Sequence, residues 1–319
     1  MSSPDGIASR RPTRTGDAVK RFHAVPAGDE RYVLGEGPFW DSDRDRVLWV
    51  DINAGEVHGG RLEEQRVVPE WVLTFRETVG AVVSSRAGEL LIAGARSLFT
   101  VSPNGGVTPG TQVIADGTAS RLNDGGCDPA GRFLIGTLSL DGPINQEVLV
   151  RIENGGHLRV IDDDLGLSNG LAFTPDGGAL YSADTTASKV WARDYDADTG
   201  AVGPRRDLLH LDGKPDGLCL DADGNLWIAM WGAGQVRCYS AAGEQIAVVD
   251  VDAPNTTSVA FVGADLDTLL ITTASEQLSE SQRARYPDSG RLFLADVGVR
   301  GSPVPSWAGT AAPARPGLL

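Results

Sequence analysis

The chain has 319 residues, a formal net charge of −15 at pH 7 and a hydrophobic content of 41%. The hydrophobic content is sufficient for a folded core, whereas the acidic charge argues against nucleic acid or an anionic membrane as the main partner. The sequence has no run of about 18 apolar residues that would cross a membrane, and its first residues lack the apolar stretch of a signal peptide.

The three cysteines indicate neither a disulfide framework nor a zinc site. Cys127, Cys219 and Cys238 have no C-x-x-C spacing. The first two lie at apolar positions of predicted strands, where buried, reduced thiols are expected. Free thiols fit a reducing compartment, so we expect a cytoplasmic protein.

Residues 1–21 contain several arginines but no apolar stretch, and they are predicted to form a disordered tail. From residue 22 onward, one pattern recurs six times. Its apolar strands are VLWVD, LLIAG, FLIGT, LYSAD, LWIAM and LLITT, which start at Val47, Leu90, Phe133, Leu180, Leu226 and Leu269. These starts are 43 to 47 residues apart.

Each of these strands lies between a turn, such as Pro175-Asp176-Gly177, and a further strand. Three to four strands in about 45 residues, without regular amphipathic helices between them, are typical of propeller blades. The sequence therefore predicts an all-β, six-bladed β-propeller as one domain over residues 22–301, followed by a C-terminal tail over residues 302–319. The sixth repeat lacks an evident outer strand, so residues near Phe22–Val25 are expected to close the ring.

A polar residue occupies the same place in four repeats. The place is found by taking the residue just before the turn glycine, or before its equivalent, and counting back seven positions. These residues are Glu36, Asn123, Asn169 and Asp216. The second and sixth repeats have Val79-Gly80 and Thr257-Ser258 there. Because this place is the start of the innermost strand, we expect the four polar side chains to converge at one end of the central channel.

Two carboxylates and two amides would form an oxygen-rich cage, which suits Ca²⁺, Mg²⁺ or Mn²⁺ and, at an open site, Zn²⁺. Like charges at an axis repel each other unless a cation lies between them. The alternative is a channel that is polar only because it holds water. No HExxH, P-loop or GxSxG motif is present, which argues against a His-ligated metal or a Ser-His-Asp triad.

Five motifs occur in unbroken order from about Tyr32 to Gly301: LGEGPFWD, RLNDGGCDPAGRFLIGT, LSNGLAFTPDG, KPDGLCLDADGNLWIAMW and ADVGVRG. Together they closely resemble the SMP-30/gluconolactonase family, which includes regucalcin and bacterial sugar lactonases. The resemblance implies a six-bladed propeller, in agreement with the repeat count.

The resemblance also implies a set of site residues. The motifs that hold the family's single divalent metal fall on Glu36, Asn169 and Asp216. The motif that contacts substrate hydroxyls falls on Arg121 and Asn123. A further acidic residue after Gly136-Thr137 corresponds to Asp141, where relatives often have the longer Glu. Ca²⁺ is the favoured ion, with Zn²⁺, Mn²⁺ and Mg²⁺ as alternatives.

The implied activity is metal-dependent hydrolysis of a sugar-acid lactone to the free sugar acid. The cation would polarise the ester carbonyl and a nearby water would attack it. Asp216 is the candidate general base, although water on the cation could lose its proton without that help. Two alternatives stay open: organophosphate ester hydrolysis at the same metal site, and a calcium- or ligand-binding propeller without turnover. The expected partner is a small sugar lactone, and the sequence does not indicate an oligomeric state.

Two loops are expected to surround the site, because the second strand of each repeat returns to the face where the first strand begins. They are Ser139–Gln146 and the longest loop, Ser275–Gly290. A long loop at the rim of a site is a candidate lid or specificity element. Trp227 and Trp231 are expected either to line the cavity or to pack between blades.

Overall fold

The computed structural model describes residues 18–309, which are almost entirely β-structure. The first strands are β1 (Lys20–His23), β2 (Val25–Pro26), β3 (Gly35–Asp41), β4 (Arg46–Asp51), β5 (Glu56–Glu63), β6 (Arg66–Thr74), β7 (Ala81–Ser84), β8 (Leu90–Ala93), β9 (Ser97–Val101), β10 (Val107–Gln112), β11 (Ser120–Cys127), β12 (Phe133–Ser139), β13 (Glu147–Ile152) and β14 (Leu158–Leu165). The remaining strands are β15 (Ser168–Phe173), β16 (Ala179–Asp184), β17 (Lys189–Asp194), β18 (Arg206–His210), β19 (Lys214–Leu220), β20 (Leu226–Trp231), β21 (Gln235–Tyr239), β22 (Gln245–Asp250), β23 (Thr256–Val262), β24 (Thr268–Thr273) and β25 (Phe293–Asp296). A 3-10 turn covers Asn154–Gly156, and a short helix, α1, covers Glu280–Arg285. No helix in the described residues is both long enough and apolar enough to cross a membrane.

The strands form six sheets that surround a central axis. Five sheets follow chain order, namely β3–β6, β7–β10, β11–β14, β15–β18 and β19–β22, and the sixth contains β23, β24, β25 and β2. The inner strands β3, β7, β11, β15, β19 and β23 each contact the inner strands of both neighbouring sheets, and β23 contacts β3. The ring is therefore closed, and the predicted all-β, six-bladed propeller is confirmed.

The N-terminal segment closes the ring, as expected from the missing outer strand of the sixth repeat. β2 pairs with β25 in antiparallel register, with Val25 opposite Leu294. Phe22 lies instead on β1, which adds a parallel fifth strand to the fifth sheet, opposite Val249. The first strand thus starts slightly before the expected boundary at residue 22, and residues 1–17 of the predicted tail lie outside the described residues.

The core lies between the sheets. The second strands are covered on both faces, so they are continuous apolar runs rather than alternating ones. In β20, for example, Leu226 to Met230 are all buried. The three cysteines are buried and unpaired, as the sequence predicts.

The segment after Gly301, predicted to be a tail, folds back across the face opposite the inner-strand starts. Gly301 forms a bridge with Asp221 of the fifth sheet, and Trp307 forms one with Ser85 beside the second sheet. The Trp307 side chain is 4% exposed, which explains why residues 302–309 stay attached to the propeller. Pro303 and Pro305 line a small cavity at the far ends of the inner strands, so this segment covers that end of the channel.

Replacing Trp307 by Ala should destabilise the propeller by about 3–5 kcal/mol, the usual loss for a buried large aromatic. The substitution leaves a cavity between the second sheet and the C-terminal segment. Thermal or denaturant unfolding measures the effect, and Trp307→Phe should lose less because it keeps a ring there. An unfolding midpoint of Trp307→Ala equal to that of the wild type would contradict this anchoring role.

Candidate metal and substrate site

The starts of the inner strands carry β-bulges where the predicted site residues lie. Register shifts fall between Glu36 and Phe39, Leu122 and Gly125, Asn169 and Leu171, Pro215 and Leu218, and Thr256 and Ser258. The pairing of β7 with β8 runs without such a shift, and this is the repeat with Val79-Gly80 in place of a polar residue. A bulge re-aims a side chain, so the five bulges help to direct polar groups toward the axis.

Glycines next to the site residues allow the inner strands to approach each other. A Cβ atom on Gly170 would lie 2.4 Å from the carbonyl oxygen of Asp216. A Cβ atom on Gly217 would lie 2.0 Å from Oγ of Ser258 on the next inner strand. Only a residue without a side chain fits such spacings, which accounts for the glycines in the SNG and PDG motifs.

A cavity of about 180 Å³ opens at this end of the channel. Its polar lining consists of Glu36, Arg121, Asn123, Asn169, Thr185, Lys214, Asp216, Glu276 and Gln277. Its apolar lining consists of Leu34, Ile52, Leu138, Leu167 and Trp231. The structure therefore brings together every predicted site residue except Asp141. The volume is below the roughly 300–1,000 Å³ of sites for drug-sized ligands, and it favours a small ligand.

Asp141 lies outside the cavity. Its side chain is exposed on the loop between β12 and β13, and Leu138, immediately before the predicted rim loop, is the nearest part of the chain that lines the cavity. The spacing from Gly136-Thr137 places Asp141 at the correct end of the propeller, but spacing cannot determine the conformation of an exposed loop. Leu140 and Ile144 of the same loop are exposed apolar residues.

The longer predicted rim loop does contribute to the cavity. Glu276 and Gln277, at the start of Ser275–Gly290, line it. Of the two tryptophans that the sequence leaves open, Trp231 lines the cavity, whereas Trp227 is buried and donates from Nε1 to Asp221 at 3.0 Å.

A chain of hydrogen bonds fixes the amides of the site. Nη1 of Arg121 donates to Oδ1 of Asn123 at 2.7 Å, and Nδ2 of Asn123 donates to Oδ1 of Asn169 at 3.2 Å. Nδ2 of Asn169 donates to Oγ1 of Thr185 at 3.0 Å, and that hydroxyl donates to the carbonyl of Pro215 at 2.6 Å. Thr185 therefore fixes which atom of the Asn169 amide is an acceptor. Sequence reasoning missed Thr185, because it follows the second strand rather than starting the first.

Three carboxyl groups from different sheets share the channel. Burial, followed by the charge of Asp124, raises the pKa of Glu36 to about 8. Burial raises the pKa of Asp124 to about 6. Burial, with the charges of Glu36 and Asp124, also raises the pKa of Asp216 well above its usual range. Asp124 was not predicted as a site residue, although it directly follows Asn123 in the LNDGG motif.

The residues at the axis fit a divalent cation with oxygen ligands. Oδ1 of Asp216 is buried without a hydrogen-bond partner, and an unpaired buried carboxylate oxygen is costly unless an ion satisfies it. Among residues 18–309, no three His, Cys, Asp or Glu side chains form a metal-holding group by themselves. The amide oxygen of Asn169 faces the same cavity as Glu36 and Asp216, and oxygen atoms of these kinds are hard ligands that suit Ca²⁺, Mg²⁺ or Mn²⁺.

Comparison with known proteins identifies the family to which the chain is similar. The family model described as SMP-30/Gluconolactonase/LRE-like region matches residues 34–275. A pentonolactonase of Haloferax volcanii is 33% identical over 85% of this chain and 93% of its own length. A 6-deoxy-6-sulfogluconolactonase of Pseudomonas putida is 34% identical over 87% of this chain and 96% of its own length.

Solved structures include a similar propeller. The crystal structure of regucalcin from Agrobacterium tumefaciens, described as a calcium-binding protein, superposes with a TM-score of 0.84 at 28% identity. It covers 91% of this chain and 98% of that protein. The family resemblance inferred from the five motifs is thus confirmed.

Without a divalent cation, the protein should lose stability as the pH rises from about 5 to about 8. The raised pKa values of Glu36, Asp124 and Asp216 mean that the folded chain binds more protons than the unfolded chain in this range. Their contribution is full below the unfolded pKa values and is lost as the pH passes the folded ones. A bound cation should reduce this loss. Unfolding midpoints of EDTA-treated protein across this range, with and without Ca²⁺, measure it.

Glu36→Gln is the matched variant for this experiment. It removes one of the titrating carboxyls and leaves the groups elsewhere in the chain unchanged, so its cation-free stability should depend less on pH than that of the wild type. Parallel pH profiles of the two proteins would mean that the pKa of Glu36 is not raised in the folded protein, and that result would contradict the electrostatic description of the site.

Replacing Thr185 by Val should weaken divalent-cation binding roughly 10- to 100-fold, the usual effect of removing a group that orients a ligand. The Asn169 amide would lose the acceptor of its Nδ2 hydrogen bond. Thr185→Ser keeps the hydroxyl and should retain near-normal affinity. Calorimetric titration with Ca²⁺ compares the two variants, and wild-type affinity in Thr185→Val would show that Thr185 does not orient Asn169.

Proposed function

The chain belongs to the SMP-30/gluconolactonase/LRE-like family, and we propose that it hydrolyses the ring ester of a sugar-acid lactone at the axial cavity, with one divalent cation bound there. The observation that carries this proposal is the lining of the cavity. Arg121 and the oxygen-bearing side chains of Glu36, Asn169 and Asp216 surround one small space. A site for an ion alone has no use for a guanidinium beside it, whereas a polyhydroxylated ester needs both parts.

Glu36, Asn169 and Asp216 would hold the cation, with Ca²⁺ favoured by their oxygen-only donors. When bound, the cation supplies a positive charge that stabilises negative charge on the ester carbonyl oxygen during attack. The Glu36 side chain is already oriented, because the backbone N–H of Gly37 donates to its Oε2 at 3.0 Å.

Arg121 would orient the substrate hydroxyls. Only Nη1 of its guanidinium donates hydrogen bonds within the described part of the chain, to Asn123 and to the carbonyl of Leu122 at 2.9 Å, so Nε and Nη2 remain for a ligand. Asn123 uses its amide groups on Arg121, Ser168 and Asn169. We assign Asn123 the role of holding the side chains of Arg121 and Asn169 in place. A contact from Asp141 would require its exposed loop to fold over the cavity.

Water would be the nucleophile, since no Ser, Cys or His is among the cavity-lining residues of the described chain. Attack forms a bond from the water oxygen to the ester carbon, and the ring C–O bond then breaks. Asp216 would accept the proton from water through the carboxylate oxygen that does not bind the cation. The ring oxygen takes that proton from Asp216 and leaves as a hydroxyl, and the carboxylic acid that is formed releases its own proton to solvent.

The cellular compartment proposed for this reaction is the cytoplasm. The three cysteines are buried as free thiols, and burial raises the pKa of each thiol above its ordinary value. Thiols in this state are unreactive and persist in a reducing environment.

The first test is proton release from a panel of aldonolactones, measured after EDTA treatment and again after addition of Ca²⁺, Mn²⁺, Zn²⁺ or Mg²⁺. Asp216→Asn should lose cation binding and reduce turnover by at least about 100-fold, because a ligand and the candidate base are both removed. Asp223→Asn, on the exposed turn at the opposite face, is the matched control and should behave as wild type.

The outcomes separate the alternatives. Full turnover in EDTA, or in Asp216→Asn, would contradict the proposal. Tight cation binding with no turnover of any lactone would favour a binding protein. Turnover of a phosphotriester in preference to every lactone would favour a phosphoesterase.

A further inference from the structure

Glu276 occupies a position that the proposed hydrolysis does not yet use. It lies three residues after β24, at the start of the long loop, and its side chain lines the axial cavity. It is half-buried, whereas α1 of the same loop is exposed. The counting of repeat positions cannot find it, because the corresponding loops of the other repeats differ in length.

The backbone of Glu276 is fixed by its neighbours in two sheets. Its N–H donates to the carbonyl of Val33 at 3.1 Å, next to the first sheet. Its own carbonyl accepts a hydrogen bond from Nδ2 of Asn255 at 3.0 Å, at the start of the sixth sheet. The residue therefore sits on rigid structure, even though it belongs to a loop.

The carboxylate of Glu276 is fixed as well. Nδ2 of Asn53 donates to Oε2, and Nε2 of Gln277 donates to Oε1 at 3.2 Å. Each oxygen keeps a further lone pair that can accept another hydrogen bond. The carboxylate is thus held in position with unused acceptor capacity.

Glu276 and Arg121 line the same cavity with opposite charges, but they form no ion pair among the described residues. Burial raises the pKa of Glu276 and lowers the pKa of Arg121, and the attraction between the two charges opposes both shifts without cancelling them. Two opposite charges that face one cavity without reaching each other leave donors and acceptors for a ligand between them. A ring with several hydroxyls supplies both partners at once.

We propose that Glu276 is a substrate-binding residue that selects polyhydroxylated lactones, accepting hydrogen bonds from ring hydroxyls while Arg121 donates to hydroxyl oxygens. This inference rests on the proposed function. It gives Glu276 the acidic role that the motif spacing assigns to Asp141. It places Asn53 behind Glu276 as a positioning residue.

The test compares Glu276→Gln with the wild type on two substrates, an aldonolactone and δ-valerolactone, which has the same ester ring without hydroxyls. For the aldonolactone, kcat/KM should fall roughly 10- to 100-fold, mostly through KM, since a hydrogen bond to a charged acceptor is lost. For δ-valerolactone, kcat/KM should stay within about twofold. Asn53→Ala should show the same pattern with a smaller loss. Equal losses on both substrates, or no loss on either, would overturn the proposal.

Two further measurements keep the result independent of folding and of turnover. Glu280→Gln, on exposed α1 of the same loop, is the matched control and should match the wild type. Ca²⁺ affinity should be unchanged in Glu276→Gln, and a large loss of affinity would make Glu276 a metal ligand instead.

If the wild type hydrolyses no lactone, the proposed function fails. Binding of a neutral methyl pentopyranoside then decides the role of Glu276, because binding should still weaken about 10-fold or more in Glu276→Gln, and equal binding would overturn it.

Discussion

The burial of several carboxylates near the propeller axis, together with their mutual repulsion, is the constraint on which the site depends. Glu36, Asp124 and Asp216 come from three different sheets, and ring closure brings them into one desolvated space. Neither backbone N–H groups nor Arg121 provide enough compensation, since the pKa values of all three carboxyls remain raised. Protons or a cation must supply the remaining positive charge. The same constraint accounts for an amide at Asn169, because a fourth carboxylate would add repulsion, whereas an amide oxygen adds a ligand without adding charge.

The fold meets this constraint through local backbone geometry rather than through long side chains. Bulges at the starts of five inner strands direct polar groups to the axis, and glycines such as Gly170 and Gly217 let neighbouring strands approach closely behind them. The second sheet lacks both the bulge and the polar residue. A bulge at this place is therefore not a general requirement for closing the ring. A chain of hydrogen bonds that runs from Arg121 through Asn123 and Asn169 to Thr185 then orients the two amides. The proposed ligand Asn169 is therefore preorganised before a cation binds.

The repeat pattern predicts the fold and the part of the site that obeys the repeat. Glu36, Asn123, Asn169 and Asp216 occupy one position of a recurring unit, so counting finds them without coordinates. Thr185 and Glu276 lie outside that position, one after a second strand and the other in a loop of unique length. Their roles arise from contacts between different sheets. Asp141 shows the converse, because a loop position can match a motif while its side chain stays in solvent. Trp307 lies among prolines and small residues without periodicity, and its burial follows from tertiary packing alone.

The site thus has two parts with different structural origins. The ion-binding part is built on the inner strands, where any displacement is transmitted to neighbouring sheets because the strands are in close contact. The proposed substrate-facing part includes Glu276, in a loop, and Trp231, at a strand end, with Asn53 behind Glu276. A substitution in this second part is expected to change which hydroxyls are recognised without moving Glu36, Asn169 or Asp216, because in the described residues Glu276 forms no hydrogen bond with any of these three. Arg121 is the exception. It faces the substrate, yet it also holds Asn123 and, through it, Asn169, so replacing it would disturb both parts of the site. Substrate preference in this protein is therefore expected to depend on the loops, while dependence on a cation is set by the inner strands.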